Sequence, residues 1–284
     1  MEWIERLNNA MNYMEENMCK ELNLEEVAKL ACCSTYHFQR MFAYMAGVPL
    51  SEYIRRRRMS LAAVDLQAGE NKVIDVALKY GYDSPTAFNR AFQSIHGISP
   101  SRAKEEGITL IAYPPIRFQI TIKGVSAMNF RIEKKEAFRI LGVSEALEAD
   151  LEKNFMTVPN MWGTAAANGT IAKLVERMDG TLLALLGVSS CNEMSQWRYY
   201  IGVESSKQAE DNLEEFIVKE ATWAVFPGEG TNMSIQELER RIVTEWLPTS
   251  GYEYGNAPDI EVYLNADPEN AKYEVWIPVV KKGE

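Results

Sequence analysis

Tyr36, Gln39 and Arg40 stand at a spacing of three and four residues, and Thr86, Asn89 and Arg90 repeat that spacing further along the chain. On a helix such residues share one face. An amide can pair with adenine through two hydrogen bonds, and a guanidinium can do the same with guanine. The two triplets therefore suit base edges and phosphates, although on an isolated helix the same face would be solvated polar surface. A different chemistry is written near the C-terminus. Glu261 sits between Ile260 and Val262, and Glu274 between Tyr273 and Val275. A carboxylate flanked this way can supply the counter-charge for a cation. Trp162, Tyr200, Trp223 and Trp276 are candidate walls, with Tyr199 and Trp246 also available. Each ring over a cation adds about 0.5–2 kcal/mol. The competing reading is a strand glutamate facing solvent or paired with a basic side chain.

The helical triplets belong to a unit written twice, over residues 24–51 and 73–101. With Val27-Ala28 laid on Val76-Ala77 and one extra residue at the turn, Phe38 falls on Phe88 and Arg40 on Arg90. Phe42, Gly47 and Ser51 likewise fall on Phe92, Gly97 and Ser101. Each copy predicts a short helix, a tight turn and a second helix, which is the pattern of a helix-turn-helix. Ser34 and the Asp83-Ser84-Pro85 run are start signals for the second helices. Gly47 is a plausible left-handed stop. Residues 3–18 carry apolar side chains at helical spacing. A long helix between Pro49 and Gly69 is expected to be the rigid spacer between the copies. Its run Arg55–Arg58 circles the helix, since four residues span about 300°. All four cannot face one partner, and one or two are expected in packed ion pairs.

The run LACCSTYHFQRMF, followed by YIRRRRM and IDVALKYGYDSPTAFNRAFQSIHGISPSRAK, resembles the DNA-binding domain of AraC/XylS-type transcription regulators. The likeness extends almost continuously over residues 3–106. It implies two recognition helices set in successive major grooves about 34 Å apart. It also implies base-contacting roles for Tyr36, Gln39 and Arg40 in the first unit and for Thr86, Asn89 and Arg90 in the second. Pro85 stands where the family more often has a polar residue, and Ala87 offers only a methyl group. The first copy is therefore expected to choose the sequence and the second to hold the register.

Helical patterning stops after residue 106. Pro114-Pro115 and β-branched residues mark an expected linker over 107–125. Beyond it, Met128–Glu133, Phe138–Ser144, Leu182–Ser190, Gln196–Glu204, Phe216–Phe226, Ile260–Leu264 and Tyr273–Val280 read as strands. Asp150–Met156, Gly169–Met178 and Ser234–Trp246 read as helices. Two rounds of strand, helix, strand, strand predict an α+β domain over 126–284 with an internal pseudo-repeat. The expected fold class is thus multidomain, with an all-α N-terminal domain over 1–106 that carries two helix-turn-helix motifs. The closing run GYEYGNAPDIEVYLNADPENAKYEVWIPV is similar to that of GyrI-like small-molecule-binding domains. That resemblance, over about 128–282, implies an aromatic cleft with a buried glutamate that favours lipophilic cations. Glu261, Glu274, Trp162, Tyr200, Trp223 and Trp276 are the expected ligand-binding residues.

Composition bounds the remaining choices. The chain has 284 residues and a formal net charge of −10, but residues 1–107 hold 13 Lys and Arg against 14 Asp and Glu. The acidity thus belongs to the C-terminal part, and a nucleic-acid partner is not excluded, because binding depends on local charge. No run approaches the roughly 20 apolar residues of a membrane span, and the acidic start MEWIERLNNAMNYMEEN does not read as a signal peptide. Cys19, Cys32, Cys33 and Cys191 lack paired spacing and read as reduced thiols of a cytoplasmic protein. Two histidines, both before residue 107, argue against a metal site and against Ser/His or Cys/His catalysis in the second domain. No cofactor and no catalytic residue is expected. The expected partners are promoter DNA, a lipophilic and cationic small-molecule effector, and RNA polymerase. A xenobiotic hydrolase using a carboxylate with a tyrosine, or a ligand-free partner-interaction module, remains the alternative for the C-terminal domain.

Overall fold

The computed structural model describes residues 3–69, 71–119, 127–147, 151–191, 197–209, 212–265 and 270–283. The chain divides into two compact units, Met1–Thr121 and Ile122–Glu284. Residues 120–125 of the expected linker lie outside the described residues, as do Asp150 and Gln196 at the starts of an expected helix and strand.

The N-terminal unit runs through α1 (Trp3–Glu16), α2 (Leu24–Leu30), α3 (Thr35–Ala46), α4 (Leu50–Gln67), α5 (Val73–Lys79) and α6 (Pro85–His96). Local chemistry fixes both ends of α3 and α6 and the start of α2. Asn23 accepts from the N–H groups of Glu25 and Glu26 at the start of α2. Ser34 accepts from His37 N and Ser84 from Ala87 N at the starts of α3 and α6. Gly47 and Gly97 close the same two helices in the left-handed region, at φ 69° and 72°. The turn of the second copy uses Gly81 at φ 81°, and the equivalent place in the first copy holds Cys32 at φ 55°. Each copy has its own apolar centre. Phe38, Met41 and Phe42 of α3 are buried, as are Leu7, Met11 and Met14 of α1. Phe88 and Phe92 of α6 pack with Val76, Ala77 and Tyr80 against Met59, Ala62 and Leu66 of α4.

All four consecutive arginines of α4 have partners within the unit. Arg57 is buried and forms a forked ion pair with Glu15, with Nη2 2.6 Å from Oε2 and Nε 2.9 Å from Oε1. Tyr53 OH donates to the same carboxylate at 2.6 Å. Arg58 donates to the carbonyls of Met18 and Lys20, Arg55 to Glu52 and Ser94, and Arg56 to Glu52. The run is therefore structural bracing of the spacer helix more fully than the sequence reading anticipated.

Residues 108–119 of the expected linker form an extended strap that lies against this helical unit. Ile111 N donates to His96 Nδ1 at 3.2 Å, Tyr113 N to Ser60 Oγ at 2.9 Å and Ile116 N to Tyr53 OH at 3.3 Å. Arg57 donates to the Tyr113 carbonyl. Phe118 N and O exchange hydrogen bonds with the Asn8 side chain at 2.9 and 3.0 Å.

The second unit contains β1 (Arg131–Lys135), β2 (Phe138–Ala146), α7 (Leu151–Ala167), α8 (Thr170–Arg177), β3 (Leu185–Cys191) and β4 (Trp197–Glu204). It continues with β5 (Glu214–Val218), β6 (Ala221–Gly230), α9 (Asn232–Arg241), β7 (Tyr252–Tyr254), β8 (Asp259–Tyr263) and β9 (Ala271–Lys281). The strands pair antiparallel in the order β1-β6-β9-β8-β3-β4-β2-β5, and β7 joins β9. Read outward from the central β8–β3 pair, the order mirrors itself, so the expected internal two-fold is present in the sheet. The stretch 216–226, read as one strand, divides into β5 and β6, with the chain turning at Lys219-Glu220. No glycine or proline marks that turn, which is why alternation alone ran through it. Helix α7 extends past its expected end at Met156 to Ala167, with Pro159 inside it. One sheet face carries α7 and α8 over Tyr199, Ile201 and Val203, and α9 over Phe226, Tyr273 and Val275. The other face holds a cluster that includes Leu186, Val188, Trp223, Ile260 and Trp276.

Candidate functional site

In each helix-turn-helix the second helix carries the expected reading residues. Burial of Phe38, Met41 and Phe42 turns the opposite side of α3 outward, and Phe88 and Phe92 do the same for α6. Tyr36, Gln39 and Arg40 are half-buried on α3. Thr86 and Arg90 are exposed on α6, with Asn89 half-buried. Each triplet therefore keeps solvent access along one helix side. The sequence reading missed Tyr44. The Arg40 guanidinium carbon lies 5.9 Å from the Tyr36 ring centre and 5.8 Å from that of Tyr44. Arg40 Nε also donates to Tyr44 OH at 3.4 Å. The i, i+4, i+8 spacing of Tyr, Arg and Tyr was the available signal. The corresponding position of α6 is Ser94, which accepts from Arg55 and donates to the Ala91 carbonyl. The Tyr–Arg–Tyr arrangement of α3 thus has no counterpart at position 94 of α6, where a serine stands.

In the C-terminal unit, strand register decides which residues meet. Directly paired residues point to one side of a sheet, and neighbours along a strand alternate. Glu261 pairs with Gly187 on β3 and with Val275 on β9. It therefore points to the helix-covered face, together with Tyr263 two residues on. Tyr199 OH and Tyr263 OH each donate to Glu261 Oε2 at 2.8 Å. Trp162 Nε1, reaching down from α7, donates to Tyr199 OH at 3.0 Å. The Trp162 ring meets Tyr263 edge-on, with centroids 4.9 Å apart. Burial first, and then the Glu261 charge, hold both phenols well above their ordinary value of 10.0, so they remain protonated donors. Gly187 makes room for this arrangement. A methyl group there would overlap the Tyr199 hydroxyl and come within 2.8 Å of Glu261 Oε2. The result is a carboxylate caged by two phenols and an indole. Such a group can balance a positive charge, and its flat walls favour an aromatic or otherwise lipophilic body.

The six residues expected to share one cleft are divided between the two faces. Glu274 pairs with Val262, the neighbour of Glu261, and so points the opposite way. Trp276, Tyr200 and Trp223 lie on that second face as well, by the pairings Trp276 with Ile260, Tyr200 with Val188 and Trp223 with Pro278. Glu274 receives both Arg131 Nη groups, at 2.7 and 2.9 Å, and Trp276 Nε1 at 2.9 Å. Burial opposes its ionisation, but these donors outweigh burial and hold its carboxyl below the ordinary 4.5. Its charge is already matched by a guanidinium. Trp223 donates to the Pro258 carbonyl at 3.1 Å, and Tyr200 stacks on Phe216 with centroids 4.7 Å apart. Glu261 and Trp162 alone of the six meet at the cage. Tyr199 had been among the candidate walls. Tyr263 and Gly187 were missed, although alternation from Glu261 would have pointed to Tyr263.

Among the described residues, no cluster of His, Cys, Asp or Glu could hold a metal ion. Nor is any helix among the described residues long and apolar enough to cross a membrane. Cys19, Cys32 and Cys33 form no disulfide.

Residues 128–280 match the GyrI-like small molecule binding domain, and residues 27–106 match a helix-turn-helix domain. The HTH-type transcriptional activator AarP of Providencia stuartii is 41% identical over 95 residues, which is 34% of this chain and 70% of that protein. The right origin-binding protein of Escherichia coli strain K12 is 24% identical over 290 residues, covering 96% of this chain and 97% of the other. A structure of SAV2435 bound to tetraphenylphosphonium covers 54% of this chain and 94% of its own, at 19% identity and a TM-score of 0.48.

Proposed function

The chain belongs to the AraC-type transcription regulators that carry a GyrI-like small-molecule-binding domain, and from that membership we propose that its effector is a lipophilic cation received at Glu261. The observation that carries this reading is the caged carboxylate: one oxygen of the half-buried Glu261 held by Tyr199 and Tyr263, which Trp162 in turn binds and packs against. Two phenol donors orient the Glu261 carboxylate beneath α7, whereas the Glu274 carboxylate on the other face is bound by both Nη groups of Arg131. A cation entering the cage exchanges water for a matched charge and ring faces. Its binding alters DNA affinity only to the extent that it favours one arrangement of the protein over another.

On the DNA side, Tyr36, Gln39 and Arg40 of α3 and Thr86, Asn89 and Arg90 of α6 are the proposed base and phosphate contacts. Their spacing on two helix-turn-helix units supports this role. A regulator of this kind works in the cytoplasm on promoter DNA, with RNA polymerase as the protein that reads its occupancy.

The test is calorimetric titration of the full-length protein with tetraphenylphosphonium, and with tetraphenylborate as the same shape with opposite charge. The cation should bind saturably and the anion should not. Glu261→Gln should weaken the cation by roughly tenfold or more, equivalent to about 1.4 kcal/mol, whereas Glu274→Gln should leave it unchanged. Equal binding of both ions, or full affinity in Glu261→Gln, would rule the reading out.

A further inference from the structure

The strap over residues 108–119 makes contacts with α1, α3, α4 and α6 of the DNA-binding unit. At its far end, Phe118 is buried and packs edge-on against Phe42 of α3, with centroids 6.0 Å apart. Its backbone is bound by Asn8 of α1. Phe42 belongs to the first helix-turn-helix module and Asn8 to α1, which precedes it. In the middle, Tyr113 and Ile116 bind Ser60 and Tyr53 of the spacer α4, and Arg57 reaches the Tyr113 carbonyl. The Arg56 guanidinium also lies 5.0 Å from the centre of the Tyr113 ring. At the near end, Ile111 N donates to His96, the last residue of α6, while Leu110 and Tyr113 pack on the core of the second module.

The strap matches its track in length and in chemistry. From Tyr113 to Ile116 an extended chain advances about 10 Å, at roughly 3.3 Å per residue. From Ser60 back to Tyr53 the helix covers about the same distance, at 1.5 Å per residue. The two residues between those anchors are Pro114 and Pro115. They have no N–H to leave unpaired, and they hold the chain extended in advance. On the helical side, the polar groups that receive the strap are themselves buried: Ser60, Arg57 and His96 are 6%, 8% and 6% exposed.

We propose that the strap is a positioning element for DNA reading: it staples the two helix-turn-helix modules across α4 and so fixes the separation and phase at which α3 and α6 meet the duplex. This rests on the DNA-reading assignment above. The spacer α4 already links the modules, with Arg58 bound to the Met18 and Lys20 carbonyls and Arg55 to Ser94. With the strap added, a change of angle between the modules must break backbone hydrogen bonds at both ends. A duplex whose half-sites are moved by one base pair is rotated by about 34° and shifted by about 3.4 Å, and a stapled reader cannot follow.

The experiment uses the full-length protein and a duplex selected by the wild type from a randomised library, followed by versions with one or two base pairs inserted or removed between the half-sites. The readout is the ratio of affinities for native and altered spacing, which does not depend on the active fraction of a variant. The wild type should lose roughly tenfold or more per altered base pair, the scale of a mismatched contact. Phe118→Ala and the milder Asn8→Ala should reduce that penalty to about threefold or less, with the salt dependence of binding unchanged. A penalty equal to wild type in folded Asn8→Ala and Phe118→Ala overturns the proposal. Hydrogen exchange gives a check that needs no variant: the amides of Ile111, Tyr113, Ile116 and Phe118 should be protected in the wild type, and exchange at the unprotected rate would equally overturn it. Failure to select any duplex would instead remove the DNA-reading assignment, and the strap's role with it.

Discussion

Arg40 lies between Tyr36 and Tyr44, 5.9 and 5.8 Å from their ring centres, one helical turn from each. A guanidinium flanked this way loses less side-chain freedom when it docks on a base, because part of that freedom is already gone in the free protein. Tyr44→Ala should weaken binding to a selected duplex by about 0.5–1 kcal/mol. Arg40→Ala should cost about 1–3 kcal/mol and relax discrimination at one base pair. In the Arg40→Ala background, Tyr44→Ala should add almost nothing, and a double-mutant cycle measured by fluorescence anisotropy checks that. Additive losses would mean that Tyr44 acts on DNA independently.

Gly187→Ala should damage the carboxylate cage without touching its four side chains chemically. The added methyl overlaps the Tyr199 hydroxyl, so the phenol must leave Glu261 or the strands must separate. Overpacking of this kind costs about 1–3 kcal/mol. Thermal melting reads that loss, and titration with tetraphenylphosphonium should show weakened binding. A variant with both wild-type melting and wild-type affinity would show that Tyr199 has another place to go.

Cys32→Gly should stabilise the protein. Cys32 holds φ 55°, a left-handed conformation that its counterpart Gly81 adopts without a Cβ penalty. Relief of that penalty is worth about 1 kcal/mol, offset in part by the greater freedom of glycine in the unfolded chain. The midpoint of chemical denaturation should rise slightly, and a fall would mean that the thiol contributes packing that outweighs the backbone cost.

The Glu15–Arg57 pair should be far more sensitive to loss of one partner than of both. With the two side chains 18% and 9% exposed, Glu15→Ala leaves a buried guanidinium and should cost about 3–5 kcal/mol. Glu15→Leu combined with Arg57→Met should recover much of that stability in urea denaturation. It should also loosen the strap, because the Tyr113 carbonyl loses its Arg57 donor.

His96 makes the helical unit acid-sensitive. Its Nδ1 accepts from Ile111 N while Nε2 meets the Met59 carbonyl at 3.1 Å, and Phe92 packs against the ring at 4.2 Å. That pattern requires the neutral tautomer with hydrogen on Nε2. Burial lowers its tendency to protonate, offset in part by the Met59 carbonyl, and the net position is below the ordinary 6.5. With the folded value depressed, the unfolded chain binds the proton first. Stability is therefore complete above about pH 6.5 and declines as pH falls below it. Melting curves between pH 7.5 and 5.5 should show that decline, and His96→Gln should flatten it.

The duplicated helical unit was legible because its signals are local: Phe38 and Phe88, the serine caps and the glycine stops all act within one turn of themselves. The carboxylate site was half legible. Glu261 and Glu274 have the same strand context and look equivalent, but the β8–β9 hairpin sets Glu274 opposite Val262. One register choice sends the first to the cage and the second to Arg131. The strap was not legible, because its partners are single side chains scattered from Asn8 to His96 that bind backbone groups, and no periodicity records them. The division of residues 216–226 was hidden because a Lys-Glu turn carries none of the residues that announce one.

The mirrored strand order gives Glu261 and Gly187 a further meaning. They face each other across β8 and β3, where the two copies of the strand–helix–strand–strand unit join. At this seam one copy supplies the carboxylate, and the other supplies a glycine whose missing side chain leaves room for the Tyr199 hydroxyl. Asymmetry at this one cross-strand pair gives a mirrored sheet one carboxylate at its seam, on the helix-covered face.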